Sequence, residues 1–116
     1  MTEDQIQAAC FKWAHNTYCL KHHSPRLCIF AVPNGGTRNR IEAIKLKATG
    51  LLPGVSDLIG LFPSAISVYF ELKTDVGIQS AVQLDFQSTV EALGFNYHLV
   101  RTEEEFKSVW LSYINQ

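Results

Sequence analysis

The chain has 116 residues, of which 47% are hydrophobic and 11% aromatic, and its formal net charge is −1. This length suits one domain over residues 1–116, and the hydrophobic content excludes a disordered chain. No apolar run approaches the roughly 20 residues of a membrane span, and the polar, acidic N-terminus is unlike a secretory signal. We therefore expect an intracellular protein with no membrane partner.

The first half of the chain predicts a helix, a strand and a second helix. Thr2 to Gln5 has the form of a capping box, and the helix it opens carries an apolar stripe through Ile6, Cys10, Trp13 and Ala14. Residues 27–32 form an apolar run typical of a buried strand, which the turn residues after it end. A short helix is expected to begin near Asn39 and end at Gly50, with basic residues on one side.

The second half predicts a β-hairpin, then helix, strand and helix. The hairpin strands cover residues 58–62 and 66–73, and a second capping box at Ser80 and Gln83 opens the next helix. We expect its buried stripe to contain Val82, Phe86, Val90 and Leu93. A strand over 96–101 and a final helix with core residues Phe106, Val109, Trp110 and Tyr113 follow. The order α-β-α-β-β-α-β-α indicates an α/β fold with a mixed β-sheet flanked by helices.

Two polar clusters lie outside this pattern. Residues 21–47 hold six Lys or Arg and one acid, a local charge of +5 with histidine neutral, which could contact phosphates or form a solvated helix face. Three cysteines without a CxxC pair are typical of buried thiols in a reducing compartment. Zinc could in principle bind Cys19, His22, His23 and Cys28, but their spacing fits no common site, and we predict none.

The strand VYFELKTD places Glu71 and Lys73 among apolar residues and on the same side. If the hairpin turn centres on Ser64, Asp57 lies directly opposite Glu71, and two carboxylates about 5 Å apart repel each other unless a cation lies between them. Carboxylates suit Mg²⁺ or Mn²⁺, and a metal beside a lysine suits hydrolysis of a phosphodiester. The alternative is a structural ion triad in which Lys73 neutralises both acids.

One pattern resembles the PD-(D/E)xK nuclease signature: Asp57 is followed, after thirteen residues, by Glu71-Leu72-Lys73. The flanking pieces, in order and spacing, resemble the VRR-NUC (virus-type replication-repair nuclease) domains over nearly the whole chain. These pieces are the Asn34–Gly36 turn, the small basic helix, the Gly54–Leu58 segment and the helix opened by Ser80. The resemblance implies a restriction-endonuclease-like core and a Mg²⁺ (or Mn²⁺) cofactor.

The resemblance also implies roles for individual residues. Asp57 and Glu71 would be metal ligands together with the Leu72 carbonyl, and Lys73 the catalytic lysine. Gln83 would lie near the scissile phosphate, and Glu3 would be a further metal-site contributor. Both have simpler explanations, since Gln83 completes a capping box and an acid in the first turn complements the helix dipole.

DNA is the expected partner of the turn and of the basic helix. The candidate DNA-binding residues are Asn34, Gly35, Gly36, Arg38, Arg40, Lys45 and Lys47. Ser56 departs from the family pattern, which usually has proline before the aspartate.

These observations together predict a metal-dependent DNA endonuclease of phage or bacterial origin. Stand-alone VRR-NUC relatives suggest branched substrates such as four-way junctions. Because one small domain holds one active site, symmetric cutting of both strands implies a homodimer. Two alternatives stay open: an inactive nucleic-acid-binding or assembly module of the same fold, and an enzyme acting on RNA or a nucleotide.

Overall fold

The computed structural model describes residues 1–33 and 39–114, and the predicted order of elements is confirmed within these ranges. The helices are α1 (Glu3–Tyr18), α2 (Arg40–Ala48), α3 (Ala81–Ala92) and α4 (Glu103–Ile114), and the strands are β1 (Cys28–Ala31), β2 (Leu58–Phe62), β3 (Ile66–Leu72) and β4 (Asn96–Val100). None of the helices in these ranges has the length and apolar character needed to cross a bilayer.

The four strands form one mixed sheet in the order β1-β2-β3-β4. The β1–β2 and β2–β3 pairs are antiparallel, and β3 and β4 are parallel, connected through α3. In the hairpin, Leu58 pairs with Phe70 and Phe62 pairs with Ile66, which is the predicted register. The sheet therefore confirms the predicted α/β architecture and makes β3 a central strand.

Helices α1 and α4 cover one face of the sheet and enclose the main core. The Thr2 capping box is formed, and Ile6, Cys10 and Ala14 of the predicted α1 stripe are buried. On α4, Trp110 is fully buried and its ring centroid lies 4.5 Å from that of Phe62. This aromatic packing buries the β3 residues of even number and leaves those of odd number to the opposite face.

Helix α3 lies on that opposite face, and its predicted buried stripe is wrong in part. Val90 is buried and Phe86 half-buried, but Val82 and Leu93 are 49% and 70% exposed. The reason is that α3 packs mainly against the edge strand β4, with Phe86 contacting aromatic rings of β3 and β4. The β1–β2 half of this face is more open, and its Phe30 and Leu61 side chains are each 41% exposed.

Helix α2 begins and ends as predicted but contributes nothing to the core. The Asn39 side chain accepts a hydrogen bond from the Glu42 amide at 2.8 Å and caps the helix. Gly50 follows its end with a φ of +111°. No α2 residue is buried, and the Ile41 and Ile44 side chains are 69% and 58% exposed.

Gly54 holds the segment between α2 and β2 against the start of α3. Its φ is +89°, and a Cβ atom would collide with the Val82 carbonyl and lie 2.9 Å from the Gln83 amide nitrogen. Gly54→Ala is expected to lower the free energy of unfolding by about 3 kcal/mol, from left-handed strain plus overpacking.

The matched control for this prediction is Gly50→Ala. Gly50 also has a positive φ, but no atom lies within 4 Å of its added Cβ. It is expected to lose only the conformational part, about 1 kcal/mol. Urea denaturation of both variants measures the difference, and equal losses would contradict a steric role for Gly54.

Candidate active site

The candidate site lies at the C-terminal end of β3, on the face that α3 partly covers. Glu71 is 1% exposed and Lys73 8% exposed, so both polar side chains are buried as the strand pattern predicts. They alternate with Phe70 and Leu72, which face the main core and are fully buried. The fold thus places a carboxylate and an ammonium next to each other in a low-dielectric environment.

Asp57 reaches the site from the segment just before β2. The β2–β3 ladder ends at the Leu58–Phe70 pair, and Asp57 lies just before β2. Its side-chain Oδ2 atom accepts a hydrogen bond from the Leu72 amide at 2.8 Å. The carboxylate gains this donor and still lies close enough to Glu71 for its charge and side chain to raise the pKa of Glu71.

The Leu72 backbone contributes to this arrangement as well. Because the amide and carbonyl of a strand residue point to the same edge, the Leu72 carbonyl also points toward the Asp57 side of β3. On the other side of β3, the Lys73 amide donates to the Val100 carbonyl at 3.0 Å. The C-terminal end of β3, which carries the site, is therefore held by a hydrogen bond to Asp57 on one side and one to Val100 on the other.

Within the described part of the chain, only one of the two Glu71 carboxylate oxygens accepts a hydrogen bond. Its Oε2 atom accepts a hydrogen bond from Gln83 Nε2 at 3.0 Å and lies 3.9 Å from Lys73 Nζ. Its Oε1 atom is buried and has no hydrogen-bond partner among the described residues. Burial, and next the charge of Asp57, raise the pKa of Glu71 to about 8, although the nearby Lys73 opposes the shift.

Gln83 completes the predicted capping box and also contacts Glu71. Its Oε1 atom accepts a hydrogen bond from the Ser80 amide at 2.9 Å, and its own amide donates to Ser80 Oγ at 3.3 Å, which completes the capping box. The Nε2 atom of the same side chain is the donor to Glu71. The α3 cap therefore sets the position of a side chain in the site.

Glu3, the first residue of α1, lies near the site but not at its centre. Its Oε2 atom would be 3.5 Å from a Cβ added at Gly77, and its charge is a minor cause of the raised pKa of Glu71. Within residues 1–33 and 39–114, no group of three or more His, Cys, Asp or Glu is placed to hold a metal ion. The sequence-predicted ligands thus form a pair, Asp57 and Glu71, with Glu3 at a greater distance.

These residues fit a hard divalent cation. Two close carboxylates, one buried oxygen without a partner and a backbone carbonyl are the oxygen ligands that Mg²⁺ and Mn²⁺ prefer, with water filling the remaining positions. The Lys73–Glu71 separation of 3.9 Å exceeds the 2.7–2.9 Å or so of a tight charge-assisted hydrogen bond. Lys73 alone therefore does not satisfy Glu71.

The candidate DNA-binding residues are only partly described. Arg40, Lys45 and Lys47 lie on α2 with exposed side chains. Asn34, Gly35, Gly36 and Arg38 lie outside the described residues. After α2 the chain returns to the site through Gly54, which contacts the start of α3.

Sequence reasoning missed two features beside the site. Arg101 donates from Nη1 to the carbonyls of Thr74 at 2.6 Å and Gly77 at 2.8 Å, which fixes the loop after Lys73. A lone arginine after a strand belongs to no motif, so no sequence signal marked it. Ser56, where the family pattern has proline, is fully buried, and its hydroxyl has no hydrogen-bond partner in the described part of the chain.

Two solved structures share this fold. One, described as a VRR_NUC domain protein, superposes with a TM-score of 0.78 over 99% of this chain and 89% of its own, at 21% sequence identity. Another, described as a VRR_NUC domain, gives a TM-score of 0.64 over 97% of this chain and 99% of its own, at 13% identity. No model of a known protein family matches the sequence. No curated protein matches it either. The structural likeness confirms the predicted fold.

The raised pKa of Glu71 predicts how the metal-free protein responds to pH. The folded pKa of about 8 lies above the ordinary value of 4.5, so this group favours the folded state at low pH. That contribution is lost as pH rises from about 4.5 to about 8, by up to about 1.4 kcal/mol per pH unit. In EDTA, wild type should therefore lose stability over this range relative to Glu71→Gln.

Urea denaturation at pH 5.5, 6.5 and 7.5 measures this difference. Asp85→Asn, a change at an exposed carboxylate of α3, is the matched control and should follow the wild-type pH profile. Parallel profiles for wild type and Glu71→Gln would show that Glu71 titrates as an ordinary carboxyl.

Proposed function

We propose that this chain is a metal-dependent DNA endonuclease of the VRR-NUC kind, hydrolysing phosphodiester bonds with Mg²⁺ or Mn²⁺. The observation that supports this most is the half-satisfied Glu71 carboxylate, held by Gln83 and placed beside Asp57 and Lys73. The order of these residues matches the PD-(D/E)xK signature, and the fold is shared with two VRR_NUC structures.

In this proposal Asp57, Glu71 and the Leu72 carbonyl hold the divalent ion, with Glu3 as a further contributor. The chemistry that a bound ion would supply here is Lewis-acid polarisation of the scissile phosphate and a lower pKa for the attacking water. Asp57 would be available to hold the ion in a fixed orientation, because its Oδ2 atom accepts a hydrogen bond from the Leu72 amide. Gln83 keeps Glu71 in place through its Oε2 atom and leaves Oε1 for the cation.

Lys73 acts on the substrate in this mechanism. Its ammonium is almost fully buried and lies 3.9 Å from Glu71, close enough to share the site without a short bond to the carboxylate. It can therefore stabilise negative charge that develops on the phosphate. DNA approaches across the exposed basic residues of α2, Arg40, Lys45 and Lys47, together with Asn34, Gly35, Gly36 and Arg38. On a chain of net charge −1, DNA affinity depends on this focused basic patch, and therefore on the salt concentration.

A cleavage assay tests this function directly. Labelled duplex, single strand, flap and four-way junction are incubated with Mg²⁺, with Mn²⁺ or with EDTA. Wild type should cut only with metal, and Lys73→Ala and Asp57→Asn should each lose about a hundredfold or more in rate. Asn is chosen at position 57 because its side-chain oxygen still accepts from the Leu72 amide.

Two exposed positions supply matched controls for these variants. Lys107→Ala removes a lysine that pairs with Glu103 on α4, and Asp85→Asn neutralises an exposed acid of α3. Both should cut at the wild-type rate. A folded wild type that binds DNA but cuts no substrate would overturn the nuclease and leave the binding or assembly module. Cutting confined to RNA would redirect the proposal to that substrate.

We further propose that the enzyme acts on branched DNA as a homodimer inside the cell. Two active sites are needed to cut both strands of a junction symmetrically, and one chain of this size holds one. The β1–β2 half of the sheet presents the apolar Phe30 and Leu61 side chains on its open face. Because α/β sheets normally have both faces covered, a second copy is a suitable cover for this face.

Sedimentation analysis tests the dimer. Wild type should have twice the chain mass of 13.0 kDa, and Leu61→Lys should shift it to the monomer. Ile44→Lys, a charged substitution at a more exposed apolar residue of α2, is the control and should stay dimeric. A monomeric wild type at micromolar concentration would contradict the homodimer without affecting the cleavage proposal.

A further inference from the structure

The loop over residues 74–79, which joins β3 to α3, carries two apolar side chains in full contact with water. Val76 and Ile78 are each 82% exposed, more than any other large apolar residue in the described part of the chain. The loop starts directly after Lys73, so both lie within a few residues of the candidate active site. Both side chains would be stabilised by contact with an apolar partner, because removing apolar surface from water is favourable.

This loop is held by a set of hydrogen bonds along its length. Arg101 Nη1 donates to the carbonyls of Thr74 and Gly77, and the Gly77 amide also donates to the Thr74 carbonyl at 3.2 Å. At the far end, Gln79 Nε2 donates to Gln87 Oε1 at 2.9 Å and to the Tyr97 hydroxyl at 3.1 Å. Val76 and Ile78 are therefore displayed from a fixed backbone.

The loop also lies against the active-site side chains. A Cβ atom at Gly77 would be 3.4 Å from Lys73 Cδ and 3.5 Å from Glu3 Oε2. A substrate phosphate at Lys73 would thus bring the adjoining nucleotides to the loop. Asp75, exposed between the two anchored carbonyls, repels phosphates, so the tip is suited to contact with bases rather than with the DNA backbone.

We propose that the 74–79 loop is a wedge that inserts Val76 and Ile78 against bases at an interrupted stack beside the scissile phosphate. This inference rests on the proposed function and specifies its substrate class as DNA with unstacked or branched base steps. Apolar side chains inserted between base steps unstack and kink DNA, which costs free energy at every stacked step. At a branch point the stacking is already interrupted, so the wedge would favour that substrate over continuous duplex.

Fluorescence of 2-aminopurine tests the insertion independently of cleavage. The base is placed either at the centre of a four-way junction or in the middle of one arm, and wild-type protein is added in EDTA. Fluorescence should rise at the centre and stay unchanged in the arm. The Val76→Ser/Ile78→Ser double variant should lose the rise. The control variant Leu84→Ser/Leu93→Ser changes two exposed apolar residues, one on α3 and one directly after its end, and should keep the rise.

Cleavage with Mg²⁺ provides the second measurement. The double variant should cut the junction about tenfold more slowly than wild type, as expected when an apolar contact with the bases is lost, while the Leu84/Leu93 control cuts normally. If the double variant still gives the wild-type fluorescence rise at the junction centre and cuts at the wild-type rate, the wedge is overturned. The nuclease proposal is then unaffected. The wedge is also overturned if the double variant becomes monomeric but still gives the wild-type fluorescence rise. That result would assign the loop to a contact between protein chains.

The two proposals fail in different ways. A wild-type protein that unstacks the junction but never cuts it would overturn the nuclease and retain the wedge. A wild-type protein that cuts the junction without any rise at its centre would retain the nuclease and overturn the wedge.

Discussion

The burial of the Glu71 carboxylate on a central strand is the constraint on which the rest of the site depends. A carboxylate loses several kcal/mol of hydration when it leaves water, and the neighbouring Asp57 adds repulsion. An apolar residue of similar size at this position would carry no such desolvation penalty. The surrounding structure offsets only part of the penalty, through one amide from Gln83 and a lysine at 3.9 Å. The remaining deficit is what a divalent cation would offset, since it brings the positive charge that the chain lacks there.

Three separate parts of the chain converge to hold this unfavourable group. The Leu72 amide fixes Asp57, the α3 capping box fixes Gln83, and the β4 end fixes the Lys73 backbone. Each of these contacts is a local backbone interaction of an ordinary kind. The site is thus positioned by the same hydrogen bonds that define the ends of the strands and the start of the helix, and it requires no special framework.

The sequence predicted the elements and the site better than it predicted the faces of the helices. Period-two alternation and the hairpin register located Glu71 and Lys73, because a one-residue slip would reverse every side chain of β3. The capping boxes located α1 and α3, because their signals lie within four residues. The exposure of Val82 and Leu93 could not be read in this way, since it depends on α3 packing mainly on β4. Sequence periodicity identifies which residues form the apolar stripe of a helix, but not how much of that stripe the sheet covers.

The same limit explains what was missed at the site itself. Asp57 was expected beside Glu71, but its hydrogen bond from the Leu72 amide was not, because the backbone donors left free at a strand end cannot be read from the sequence. Arg101 is 27 residues from Thr74 and 24 from Gly77, so only the parallel pairing of β3 with β4 brings its guanidinium to the loop. Contacts of this kind link the end of one strand to the loop that leaves its neighbour. Through these contacts, the loop carrying Val76 and Ile78 is joined to the sheet edge that also carries Lys73. Any motion of that edge would therefore move the Lys73 side chain and the loop together.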